Sequence, residues 1–250
     1  MSGHSKWAGI KHKKALVDAQ KGKLFSKIAK ELTAVARQGG GNPETNTKLR
    51  LLIQKAREAN MPSDNIDRAI KRGTGELPGV SYEEMTIEGY GPNGVAIMVE
   101  LLTDNKNRAA AEIRTIFSRK GGNLAGAGSV SWIFHKKGFI VVDKKEIDEE
   151  KLMDIVVNAG AEDITTQEDN YEITTPVQDF EKVKQALSDS QIRYISAEIT
   201  MLPANTVKLT GDAAKQVLAL VQELEDHEDV RNVYANFDVP DELIKEVTGS

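Results

Sequence analysis

The chain of 250 residues has no cysteine, which removes thiol nucleophiles, thiolate zinc sites and structural disulfides at once. Long apolar runs are missing too. No stretch of about eighteen apolar residues occurs, so no membrane span is expected. The opening MSGHSKWAGIKHKKA carries lysines where a secretory signal needs an apolar stretch, which points to a cytoplasmic protein without an export signal. The phosphate-cradling and nucleophile motifs GxxxxGK[ST], GxGxxG between strand and helix, and GxSxG are all absent. With 40% hydrophobic and 28% charged residues the chain is neither disordered nor fibrous, but long enough for one large or two to three small domains.

Histidine is equally sparse: His4, His12, His135 and His227 are the full set. None stands at metal spacing from another histidine or a suitable carboxylate, and lysines around His4 and His12 would repel a cation. His227, in Asp226-His-Glu-Asp229, reads as a solvated helix end. Gly121-Gly-Asn123 and Gly126-Ala-Gly128 read as a helix stop and an approach to the next strand, a loop able to reach into a crowded partner. No nucleophile, base and oxyanion set can be assembled. The expectation is a protein that is not an enzyme, with no catalytic residue, metal or cofactor.

What is present is a segregation of charge. Residues 1–75 carry 16 Lys/Arg and 6 Asp/Glu, about +10, and the remainder carries 17 against 32, about −15. The local field of a basic patch, not the net charge of −5, governs encounter with a polyanion. His4, Lys6, Trp7, Lys11, His12, Lys13 and Lys14, then Lys21, Lys23 and Lys27, form the candidate nucleic-acid arm, with Arg68, Lys71 and Arg72 added from further along. On a helix Lys23, Lys27 and Lys30 would share one flank while Phe25, Ile28 and Leu32 bury the other, a stripe that suits a phosphate backbone. Trp7 either stacks on a base or pins the arm to the helical domain; both readings stay open. Lysine, a point charge, dominates, so weak sequence discrimination is expected.

Hydrophobic spacing predicts three helices in residues 1–75, around Leu24 to Val35, Leu49 to Ala56 and Ile66 to Ile70. Ser63 or Asp64 is the expected cap of the third, with Gly73 at its left-handed end. Gly73 to Gly79 has linker composition. Beyond it, strands are expected at Met85–Ile87, Val95–Leu102 and Val130–Phe134, with a helix through Ala109 to Phe117. From Gly138 the order reads βαββαβ, followed by a helix through Val217 to Leu224 and a strand Val230–Phe237. The expected fold is a multidomain α+β protein, an N-terminal helical domain plus two ferredoxin-like α/β domains, one inserted in the other. The boundaries are 1–75, then 80–134 joined with 206–240, with 135–205 as the insert. A ligand site between sheets would draw on Tyr90, Trp132 or Phe134. The acidic face at Asp143–Glu150 would take a basic protein partner.

Gly3-His-Ser-Lys-Trp-Ala8, Lys11-His-Lys-Lys-Ala15, Gly40-Gly-Asn-Pro43, Asn60-Met-Pro62 and Asn65-Ile-Asp-Arg-Ala-Ile-Lys-Arg-Gly73 together resemble the YebC family. The resemblance continues through Glu88-Gly-Tyr-Gly-Pro-Asn-Gly94, Thr103-Asp-Asn-Lys-Asn-Arg108, Gly121-Gly-Asn123 and Gly128-Ser-Val-Ser-Trp132, and so covers nearly the whole chain. It implies three domains and a probable DNA-binding transcriptional regulator. The alternative it implies is a ribosome-associated translation factor relieving stalling at proline runs, contacting rRNA or tRNA, as its mitochondrial relatives suggest. Either way the arm from His4 to Lys27 is the implied nucleic-acid contact.

Overall fold

The structure, a computed structural model, describes residues 18–240 and Leu243, with side chains from Lys21 onward. Helix α1 (Asp18–Gly39) buries Ile28, Leu32 and Ala36 and stops at Gly40, whose φ of +82° a side chain would resist. Asn46 then opens α2 (Thr47–Glu58). Its side-chain oxygen accepts from Leu49 N at 3.1 Å while its amide donates to Val35 O and Gly40 O, tying the second helix to the end of the first. Helix α3 (Ser63–Thr74) adds Ile66 and Ala69 to the same core with Leu49, Ala56 and Met61.

Two details of α3 differ from expectation. The cap position is Pro62 and no side chain caps it, so neither Ser63 nor Asp64 serves. The left-handed terminus is Gly75 (φ +84°), two residues beyond what the spacing suggests, because Gly73 has a different task. It is buried against α1, where a Cβ would stand 2.4 Å from Thr33 O and 2.7 Å from the Ala36 methyl. The two helices touch backbone to backbone there, and Thr33 Oγ1 donates to Ala69 O at 3.0 Å beside the contact.

The rest of the chain builds two four-stranded sheets. Strands β1 (Glu83–Tyr90) and β2 (Ala96–Thr103) form a hairpin, followed by α4 (Lys106–Arg119) and the short β3 (Asn123–Ala125). Next come β4 (Phe134–Asp143), α5 (Glu149–Asn158), β5 (Asp163–Thr166), β6 (Asn170–Thr175), α6 (Phe180–Asp189) and β7 (Ser196–Pro203). The chain continues with β8 (Val207–Lys208), α7 (Gly211–Asp226), β9 (Val230–Ala235) and β10 (Phe237–Asp238). Sheet order is β3-β1-β2-β9 in the first and β5-β6-β4-β7 in the second, and every neighbouring pair is antiparallel. Strand β9 thus lies beside β2, about 130 residues away in sequence.

Helices α4 and α7 cover one face of the first sheet, where Ile97, Val99 and Leu101 meet Ile113, Phe117, Leu220 and Leu224. Helices α5 and α6 do the same for the second sheet through Leu152, Val156, Val183 and Leu187 on Ile140 and Ile173. The far face of the first sheet is not open to water. Ala96, Met98 and Tyr234 are covered there by Val130, Ile133 and Phe134, with Met201 of β7 at the margin.

That covering segment corrects another expectation. Val130–Phe134 is not a strand: Ser131–Ile133 is a 3-10 turn, and the paired strand starts at Phe134. The reason is Glu88, whose buried carboxylate accepts the N–H groups of Gly128, Val130 and Ser131 at 2.7–2.9 Å and so removes them from any ladder. The edge strand beside β1 is Asn123–Ala125 instead. The final strand is also split, because Asn236 turns its side chain onto Ala96 N and leaves Phe237–Asp238 to pair in parallel with β8.

Gly73→Ala should lower the urea midpoint, with a loss of about 1–3 kcal/mol from overpacking at the α1–α3 contact. Gly22→Ala, on an exposed position of α1 with nothing within 4 Å of the added methyl, should instead stabilise by about 0.5–1 kcal/mol. Equal effects from the two substitutions would contradict this packing.

Candidate nucleic-acid interface

Of the thirteen residues expected to meet nucleic acid, His4, Lys6, Trp7, Lys11, His12, Lys13 and Lys14 lie outside the described residues. The others fall into two groups on the helical domain. Arg68, Lys71 and Arg72 are exposed on α3 at spacings of three and four residues, which puts them on one side of the helix. Arg68 is oriented by its own helix, since its guanidinium donates to Asp64 O at 3.1 Å and to Asn65 Oδ1 at 2.5 Å.

The α1 lysines have a different setting. Lys27 Nζ donates to Glu225 O at 2.5 Å, Lys23 stands 3.8 Å from the Asp226 carboxylate, and Lys30 reaches Glu228 O and Asp229 Oδ1, the latter at 2.6 Å. Lys21 is half-buried and also has a partner within the fold. The flank read from the sequence as a stripe for phosphates thus lies against the C-terminal end of α7. The Glu225 carbonyl, the acids that follow it and the negative end of the helix dipole meet three cations about one turn apart. Lys23 keeps 61% of its side chain exposed, whereas Lys30 keeps 16%.

Asp229 is the centre of this contact. Its side chain is fully buried; Oδ1 accepts from Lys30, and Oδ2 accepts from Arg108 at 2.5 Å and Thr103 Oγ1 at 2.9 Å. Burial alone would raise this carboxyl, but the hydrogen bonds from Lys30, Arg108 and Thr103 outweigh it and hold it below its ordinary range. The same contact pushes Arg108 above its ordinary value. Arg108 is in place because Asn105 caps α4, its side chain accepting from Arg108 N at 3.0 Å.

His227 is not a solvated helix end. Only 11% of its side chain is exposed; Nδ1 accepts from Asp229 N at 3.1 Å, and Nε2 meets Glu112 Oε2 at 2.9 Å. The fold thereby brings Glu112, His227 and Asp229 within 4.8 Å of one another, the single such group of metal-ligand type among the described residues. Their donors do not suit a cation. Both Asp229 oxygens are occupied, and the charges of Lys30 and Arg108 stand where a metal would have to approach.

Tyr90, Trp132 and Phe134 lie near one another, with Tyr90 and Trp132 both donating to Ser129 O, but their polar groups and buried surfaces are used within the fold. Phe134 is buried against Tyr234, Tyr90 donates its hydroxyl to Ser129 O, and Trp132 is exposed. Between β4 and α5, the acidic run keeps some acids for internal use: Glu146 pairs with Arg193 at 2.8 Å and Asp148 with Lys151 at 3.2 Å.

Sequence reasoning missed the Asp229 centre although both halves were visible. Thr103-Asp-Asn-Lys-Asn-Arg108 stood out only as a motif, and the acids from Glu225 to Asp229 lie some 200 residues from the lysines they meet. An acid, Asp229, placed directly before the apolar strand that starts at Val230 was the available signal.

These features define a three-part α+β protein whose basic helical domain is seated by lysines on the end of a helix in a sheet-bearing body. The chain belongs to the TACO1/YebC family: residues 5–76 match its "TACO1/YebC protein N-terminal domain" and residues 82–237 its "TACO1/YebC second and third domain". It is 56% identical over 248 residues, 98% of this chain and 99% of the relative, to a "Probable transcriptional regulatory protein" of Natranaerobius thermophilus. A protein of the same description from Dictyoglomus turgidum is 55% identical over 249 residues, covering 99% of this chain and 100% of that protein. The crystal structure of a conserved hypothetical protein, Aq1575 from Aquifex aeolicus, superposes with a TM-score of 0.77 at 45% identity, covering 91% of this chain and 94% of that one. Among the described residues no helix is long and apolar enough to cross a membrane.

A carboxyl held low in the fold contributes stability above its unfolded pKa of about 3.9, and that contribution is lost as pH falls through the lower folded value. Asp229→Asn should therefore cost about 3 kcal/mol near neutral pH. The gap to the parent chain should close as pH falls through the acid range in urea unfolding at stepped pH. A gap independent of pH would show that the charge of Asp229 is not what holds the contact.

Proposed function

We propose that this chain is a nucleic-acid-binding regulator of gene expression, first a transcriptional regulator that contacts DNA along the phosphate backbone through its basic helical domain. The carrying observation is the exposed row Arg68, Lys71 and Arg72 on α3, within the 75 residues that hold about +10 of charge while the body holds about −15. The names of the relatives from N. thermophilus and D. turgidum support the regulatory reading. With Lys23, Lys27 and Lys30 against α7, the contact falls to the arm residues His4 to Lys14, to the exposed part of Lys23 and to the α3 row. Lys27 and Lys21 join only where the polyanion displaces their present partners.

We also read the chain as three working units, 1–75, 80–134 with 206–240, and 135–205, with both sheet units ferredoxin-like. The order β5-β6-β4-β7 is what a βαββαβ unit of that kind gives, and β9 beside β2 supports the joined middle unit.

A second reading, a translation factor on the ribosome, is favoured by one feature: 11 of the 16 cations in residues 1–75 are lysine, suited to backbone contact rather than to base edges in a groove. Labelled duplex DNA titrated with the protein and then challenged with ribosomes separates the two. Retention on duplex with sequence preference supports transcription; removal by ribosomes at far lower concentration than by excess DNA supports translation. In either setting Lys11, Lys13 and Lys14 changed together to Ala should flatten the salt dependence of log K by about 2.7. An unchanged slope would remove the arm from the contact.

A further inference from the structure

Residues 113–142 contain no aspartate or glutamate, the longest acid-free stretch in a chain with 38 such residues, while holding five Lys/Arg. The stretch lies within the acidic body, so its composition runs against its surroundings. At its middle the chain turns over the first sheet, and the turn is fixed from beneath. Glu88 accepts three of its N–H groups, and the Tyr90 hydroxyl donates to Ser129 O at 3.1 Å. Glu88 itself is buried, so it presents little charge to the surface.

On this base stands Trp132, 65% exposed, the most exposed large hydrophobic side chain among the described residues. Its indole N–H is already used, donating to Ser129 O at 3.0 Å, so the ring is held in place while its surface meets water. A lone exposed tryptophan on a mobile loop would be unremarkable, but one held by its own hydrogen bond on a clamped turn is presented to something. Around it Gly126, Ala127 and Gly128 are exposed and small, allowing close approach, while His135 and Lys136 follow exposed on β4. Lys136 has no ion pair with a described residue, unlike Lys137, which holds Glu162 at 2.6 Å.

We propose that this turn is a platform for single-stranded nucleic acid, on which an unpaired base stacks against Trp132 while Lys136 meets a neighbouring phosphate. A flat π surface with a cation four residues on, in a stretch of sequence free of acids, is a combination by which unpaired bases are held without regard to sequence. A duplex hides its base faces and gains nothing from the tryptophan. This deepens the preceding reading and rests on it, adding a second contact outside the basic helical domain.

Fluorescence is read on the full chain with Trp7→Phe, which leaves Trp132 the sole tryptophan, while affinities are compared in the parent chain and its Trp132 variants, because Trp7 belongs to the candidate arm. Trp132 fluorescence is followed while twelve-residue oligo-rU, oligo-dT and a duplex of equal length are added, with binding measured in parallel by anisotropy. Both single strands should quench Trp132 and the duplex should not; the tighter strand identifies the sugar preferred. Trp132→Ala should weaken single-strand binding about tenfold with the salt slope unchanged, and Trp132→Phe should retain most of it. Single strands that bind without quenching, with affinity indifferent to Trp132→Ala, would overturn the platform and leave the basic-domain reading standing. No binding of any polynucleotide or ribosome would remove both.

Discussion

A carboxylate taken out of water must be matched, and Asp229 is matched by three separate parts of the chain. Lys30 comes from the first helix, Thr103 from the end of β2, and Arg108 from the first turn of α4. Because these partners are specific in position, the helical domain has one seat on the body. The neighbouring contacts of Lys23 and Lys27 with the end of α7 extend that seat along α1, and His227 closes its far side against Glu112. The exposed cations of α3 are left facing water by the same arrangement.

Glu88 meets the same constraint by other means. No lysine or arginine among the described residues pairs with it; backbone N–H groups of Gly128, Val130 and Ser131 surround it, and they hold it below its usual range although burial alone would raise it. One buried acid thus orders two domains and the other orders a turn. Both sit at the first sheet, whose helical face is a closed apolar core and whose other face carries the turn and the start of β4. Cation side chains make the first contact sensitive to competing polyanions, whereas the second is insulated from them.

Much of this architecture was legible because its signals are local. The periodic apolar residues of α1, α2, α5, α6 and α7 gave those helices, and the return of β9 to the first sheet follows from a hairpin and helix that lacked a covering partner. Apart from the cap of α3, the errors share a cause: each concerns a group whose partner is distant in sequence. Gly73 looks like a helix terminus until Thr33 and Ala36 are seen against it. Val130 to Phe134 looks like a strand until Glu88 claims its N–H groups. Lys23, Lys27 and Lys30 look like a free cationic flank until the end of α7 is placed beside them. His227 looks solvated because Glu112 stands 115 residues away. Charge segregation, a property of composition, was visible from the start; which cations face outward was not.

On the proposed reading, nucleic acid meets the helical domain and the Trp132 turn while the helices of the second sheet stay clear of it. Ultraviolet crosslinking of the full chain to a bound polynucleotide, followed by mass spectrometry of the linked peptides, reads this directly. Links in residues 1–75 and in the turn around Trp132, with α5 and α6 unlabelled, are the result the account requires. Links concentrated on α5 and α6, with residues 1–75 unlabelled, would contradict it.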